Sequence, residues 1–171
     1  MTTQKFFTLT FVFLITTAIA FGQKKTDDRN NVGKIVDLYL QIKNALVNDD
    51  GVTAREKANE LHYLMVTQPD KGMNARQARV LGDYLGPLVE NIRGISITSY
   101  ENEQRPYFAG LSLSLYELLK GLHMSAPKLY LQYCPLNKSY WLSETQEIKS
   151  PYYNYKEFAS VGKTAEVLAA N

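Results

Sequence analysis

Phe108, Leu111, Leu115, Leu118 and Leu122 step through the chain by three, four, three and four. That spacing belongs to an α-helix with one apolar face, because a strand returns every second residue to the same side. A helix of this kind must be covered by other elements, so its neighbours decide the architecture. The same period recurs upstream. Between Asn31 and Asp49 it is kept by Ile35, Leu38, Tyr39, Ile42, Ala45 and Leu46, with Asn30 or Asn31 able to cap the start. Asp49-Asp50-Gly51 breaks that helix. A second follows with Ala54, Ala58, Leu61 and Met65 on one face and with Thr53 and Glu56 at capping-box spacing. So short a connection makes the two antiparallel neighbours.

Gln68-Pro-Asp-Lys-Gly72 reads as a turn, after which Asn74 caps a third helix carrying Ala78, Leu81, Leu85, Leu88 and Ile92. Gly86-Pro87 is expected to kink or divide it, since proline removes a backbone donor. Pro106 falls near the start of the fourth helix, so Tyr100 to Arg105 reads as a separate turn or a bent first segment. Gly121 and Pro127 mark the end of that helix. The expected fold is mostly α: an antiparallel four-helix bundle over residues 32–124.

After Pro127 the period changes. Leu129, Leu131 and Tyr133 alternate with Tyr130, Gln132 and Cys134, and Pro135-Leu-Asn-Lys-Ser139 turns into Tyr140-Trp141-Leu142, which predicts a small hairpin. Residues 125–171 therefore form a C-terminal β-hairpin or aromatic-rich extension of the same domain. They hold the only cysteine, the only tryptophan and half of the twelve tyrosines.

At the other end, Lys5, the apolar run Phe6 to Ile19 and the small residues Ala18, Ala20 and Gly22 have the layout of a secretory signal over residues 1–22. The apolar run is about fourteen residues, short of the roughly 20 that span a bilayer. The expectation is a periplasmic or secreted protein with no membrane span after cleavage. Removing the signal takes away only Lys5 from 19 basic and 17 acidic residues. So even a balance offers no field for nucleic acid. One cysteine cannot close an internal disulfide, so packing must supply the stability.

Chemistry-bearing residues are few. Nucleophilic catalysis needs a base beside its nucleophile, and the two histidines are His62, flanking the apolar face of the second helix, and His123, placed to complement the dipole at the end of the fourth. There is no His-Glu-x-x-His, no Cys-x-x-Cys and no calcium loop. Gly162-Lys163-Thr164 is not a phosphate loop, because Glu157 stands where that motif has its first glycine. An enzyme is not expected. Cys134, His123 and Met124 form the one group of soft or borderline donors. Tyr133, Tyr140, Trp141, Tyr152 and Tyr153 are candidates either for a partner-binding face or for an aromatic cover on the bundle end.

Three blocks of residues resemble a known family. They are Tyr39-Leu40, Lys43, Ala45-Leu46-Val47 and Asp49-Asp50; then Gln104-Arg105, Phe108, Leu111-Ser112 and Leu115-Tyr116-Glu117-Leu118; then Tyr133-Cys134-Pro135, Trp141-Leu142-Ser143 and Pro151-Tyr152-Tyr153. In order and spacing over residues 32–162 they resemble an uncharacterised, exported helical-bundle family of bacteria, domain of unknown function 3347. That domain also occurs attached to periplasmic adaptor subunits of heavy-metal efflux pumps. The resemblance thus implies a context of copper handling, with an envelope or efflux-system protein as partner and monovalent copper as the metal. Where relatives carry a methionine after Cys-Pro, a histidine before the Phe of the fourth helix, and Met-Leu and Cys-Gly pairs, this chain has Leu136, Tyr107, Glu157-Phe158 and Val161-Gly162. Each replacement removes a donor or supplies a poorer one. The expectation is an exported, non-enzymatic binding domain with a degenerate metal site, or alternatively an interaction module using the tyrosine-rich face without metal.

Overall fold

The computed structural model describes residues 31–123, 128–153 and 156–168. The expected signal segment and Met124 lie outside the described residues. Four helices come first: α1 (Asn31–Val47), α2 (Gly51–Thr67), α3 (Ala75–Ser96) and α4 (Glu101–Leu122). Strands β1 (Leu129–Cys134) and β2 (Ser139–Ser143) form the expected hairpin, and the short α5 (Lys156–Ala159) leads to β3 (Lys163–Leu168). Among the described residues no helix is long and apolar enough to cross a membrane.

The apolar stripes face one another as their spacing requires. Ile35, Tyr39, Ile42 and Leu46 of α1, Ala54, Ala58, Leu61 and Met65 of α2, Leu81, Leu88 and Ile92 of α3, and Phe108, Leu111, Leu115, Leu118 and Leu122 of α4 are all buried in one core. The helices pack in chain order, α1 on α2, α2 on α3 and α3 on α4. Between α1 and α4 the helix contact is short, and β2 packs against α4 beside it. The sheet thus closes the bundle along its open seam, and its Leu129, Leu131, Cys134, Trp141 and Leu142 join the helical core.

Three boundaries differ from the sequence expectation. Helix α2 starts at Gly51 because the Asp50 carboxylate accepts the Thr53 amide at 2.9 Å, so Asp50 is the cap and Thr53 already lies in the first turn. Helix α4 begins at Glu101 and carries Pro106 inside it. Its first turn is held to α2 from outside: Glu101 Oε1 accepts the Gly51 amide at 3.0 Å. Helix α3 runs undivided through Pro87, whose ring lies on the exposed side while Leu81, Leu88 and Ile92 keep the opposite face buried. The Asn74 cap is found as expected, with a full capping box through Gln77.

The sheet is antiparallel in the order β2-β1-β3. Strand β3 was not expected. Five of its six residues are exposed, so no apolar alternation announced it. Pairing with β1 includes an irregularity between Leu131 and Gln132. Burial along β1 likewise departs from simple alternation, because Leu131 and Gln132 are buried in succession.

Candidate functional site

Most residues that carry the family resemblance converge on the junction of α1, α4 and the hairpin. Tyr39 stacks on Phe108 with ring centroids 5.2 Å apart, Phe108 meets Tyr152 at 6.0 Å, and Tyr152 meets Trp141 edge-on at 5.9 Å. A hydrogen-bonded chain runs beside the rings. The Leu142 amide donates to the Tyr39 hydroxyl at 2.9 Å, and the Ser112 hydroxyl donates to the Phe108 carbonyl at 2.8 Å. Ser112 has a single hydrogen, so at 2.7 Å the Tyr39 hydroxyl is the donor and the Ser112 oxygen the acceptor. Burial, the largest influence, pushes the Tyr39 pKa up, which keeps that proton in place.

A second knot forms where the helices turn. The Gln104 side-chain amide donates to the carbonyls of Gly51 at 2.9 Å and Thr98 at 2.8 Å, and more distantly to that of Ile95. The buried Arg105 guanidinium donates to the Pro151 carbonyl at 3.0 Å, to Asn102 Oδ1 at 2.9 Å, and to Asp49 and the Leu46 carbonyl. One side chain thus joins α1, α4 and the segment after the hairpin. Buried Lys43 adds a third tie, donating to Glu144 Oε2 at 2.7 Å while Asn44 donates to Oε1 at 3.0 Å.

Burial raises the pKa of Glu144, but the hydrogen bonds from Lys43 and Asn44 outweigh it and leave the carboxyl below its ordinary value. A depressed folded pKa gives stability that is present above the unfolded value of about 4.3 and is lost as pH falls through the lower folded value. A Glu144→Gln chain is therefore expected to lose less stability than wild type on acidification below about pH 4.3, by on the order of 1 kcal/mol after allowing for solvent. Urea melts across that range check it; parallel losses in the two proteins would refute the coupling.

The structure divides the candidate aromatic residues. Trp141 is fully buried and Tyr152 nearly so, and the Tyr152 hydroxyl donates to the Tyr140 carbonyl at 2.6 Å. These two are corrected from contact residues to core. Tyr133 and Tyr153 are half-buried, and Tyr140 is exposed with its ring 4.8 Å from that of Tyr133. Around them the surface holds two open recesses that share Pro106. One is lined by Asn102, Arg105, Ala109, Asn137, Ser139, Tyr152 and Tyr153, and the other by Gly94, Ile97, Thr98, Glu103 and Tyr107. Ile97 and Tyr107, which line the second recess, are large exposed apolar side chains, and so are Tyr100 and Leu136, the latter next to Asn137 in sequence. Tyr107 lies so close over Gly94 that an added Cβ there would sit 2.3 Å from its ring.

The donor group of His123, Met124 and Cys134 does not assemble among the described residues. Cys134 is a free, fully buried thiol whose strand partner is Ser139, beside Asn102 and Arg105 at the beginning of α4. His123 is the exposed, left-handed residue that ends α4, 18 residues beyond Arg105 and thus about 27 Å along the helix. Met124 lies outside the described residues. Among those described, no three His, Cys, Asp or Glu side chains come together to hold a metal ion. Leu136 and Tyr107 are exposed apolar groups. Among the described residues, the donors present do not fit a resident copper centre.

The sequence reading missed Lys43 and Arg105 as structural ties. Both leave a signal: Lys43 interrupts the stripe between Tyr39 and Leu46, and Arg105 precedes Phe108 by three, so each places a charge on an apolar face. A charge there needs a buried partner, though the spacing does not say which.

The model of a family described as Protein of unknown function (DUF3347) matches residues 35–126, more than half of the chain. No curated protein and no solved structure matches it.

Proposed function

Because this chain belongs to the DUF3347 family of unknown function, we propose that it is a non-enzymatic binding domain of the bacterial envelope. It docks a protein partner on the face built by the first half of α4, the β1–β2 turn and residues 151–153. The observation that carries this reading is the pair of recesses joined at Pro106, one lined by the exposed apolar side chains Ile97 and Tyr107, the other by Asn137, whose sequence neighbour Leu136 is exposed. Apolar rims with Asn102, Asn137 and Ser139 between them suit a partner segment that brings apolar side chains and a few hydrogen-bonding groups. Buried Trp141 and Tyr152 support the face from below. Export, and an efflux-system protein as the partner, rest on the residue pattern of the leader and on the family resemblance.

The test starts from a partner isolated with the mature chain from envelope extract, identified and purified. Binding measured between the two pure proteins is expected to weaken at least tenfold on joint Tyr107→Ala and Leu136→Ala substitution and to be unchanged by Val66→Ala on the exposed side of α2. Equal affinities for wild type and the double variant would end this assignment.

A metal-handling role through a resident site forecasts stoichiometric copper uptake, and the docking reading forecasts none. Reduced mature protein is expected to take up no stoichiometric monovalent copper in metal analysis, and Cys134→Ser is expected to leave that result unchanged. Stoichiometric uptake lost in Cys134→Ser would restore the metal reading.

A further inference from the structure

Gln132 of β1 and Trp141 of β2 are direct partners across the ladder, and both are fully buried. Among the described residues, Gln132 Oε1, an acceptor, and Trp141 Nε1, a donor, have no hydrogen-bond partner. These two lacks are complementary. Paired residues on antiparallel strands point to the same face with Cβ atoms about 4.5–5.5 Å apart, so both side chains leave the ladder side by side on one face of the sheet. Gln132 is also anchored: its Nε2 donates to the carbonyls of Thr145 at 3.0 Å and Glu147 at 3.2 Å, which fixes the direction of its Oε1. Turning the amide over would set its oxygen against those two carbonyls, so exchanging the ends cannot relieve the pair.

We propose that Gln132 and Trp141 form a binding site for a single buried water, which donates to Gln132 Oε1 and accepts from Trp141 Nε1–H. Buried water takes such positions because a small polar gap leaves both groups costly to strip of partners. The water extends the tie that Gln132 makes to Thr145 and Glu147, and so helps hold the segment that carries Glu144 to Lys43 and Asn44. This inference is independent of the docking face.

Trp141 is the only tryptophan, so its indole proton gives one unambiguous side-chain signal. In the folded, isotope-labelled mature chain, that proton is expected to show a dipolar cross-peak to water with the sign of a long-lived bound molecule. In Gln132→Met, which keeps the length of the side chain but lacks the carbonyl, the cross-peak is expected to vanish or fall severalfold. The inference is overturned by a wild-type indole proton with no such cross-peak. It is also overturned by a coupling through a direct hydrogen bond from Nε1–H to the Gln132 side-chain carbonyl, or by an unchanged water signal in a folded Gln132→Met. If that variant does not fold, the wild-type spectrum decides the matter alone.

Discussion

Phe108→Ala is expected to reduce the unfolding free energy by about 3–5 kcal/mol, the range for truncating a fully buried aromatic ring. The ring is fully buried and touches Tyr39 of α1 on one side and Tyr152 beyond the hairpin on the other. Its loss therefore opens a cavity where helices and sheet meet. The same experiment tests whether they are one folding unit. Helix ellipticity reports the bundle, while the fluorescence of buried Trp141 reports the sheet. Since β2 fills the α1/α4 seam, both signals are expected to change together in urea, in wild type and in the variant. Separated transitions would show that residues 128–168 fold apart from the helices, and a loss under about 1 kcal/mol would show that the ring does not hold the junction.

Arg105→Met is expected to be nearly as costly, on the order of 2–4 kcal/mol. It strips the Pro151 and Leu46 carbonyls of their donor and leaves Asp49 without its ion-pair partner. The estimate lies below that for a fully enclosed ion pair, because Asp49 remains partly in water. Arg105→Lys keeps the charge but not the planar fork, so it is expected to recover less than half of the loss. Chemical denaturation of the three proteins checks both statements. Full recovery by lysine would mean that charge alone matters, and a small effect of methionine would mean that the carbonyls find other partners.

These expectations change what the family resemblance signifies. Tyr39, Lys43, Leu46, Gln104, Arg105, Phe108, Ser112, Cys134, Trp141 and Tyr152 are all buried. Within the matched residues 35–126, Tyr39, Lys43, Leu46, Gln104, Arg105, Phe108 and Ser112 are thus mainly residues that build the junction. Cys134, beyond the matched residues, is a small buried side chain beside Ser139.

Four helices, their order and their apolar faces were legible because helical burial repeats locally, every three or four residues, and the buried Leu115 or Ile42 states its own orientation. The hairpin was legible from its changed period and its turn. The start of α2 was not, since it depends on which of several acidic residues reaches an amide: Asp50 takes that of Thr53, and Glu101 from the distant α4 takes that of Gly51. Strand β3 stayed hidden because its backbone pairs while its side chains remain in water.

The sequence by itself determined the helical class, the approximate elements and the scarcity of catalytic groups, all of which follow from spacing and residue type. Only the tertiary structure decided that Trp141 and Tyr152 are core, that His123 and Cys134 lie toward opposite ends of α4, and that Lys43 and Arg105 tie the sheet region to the bundle. The physical reason is distance along the chain. Lys43 meets Glu144, Tyr39 meets Leu142 and Arg105 meets Pro151 across long stretches of sequence. Such pairings are set by how whole elements pack, which local periodicity cannot record.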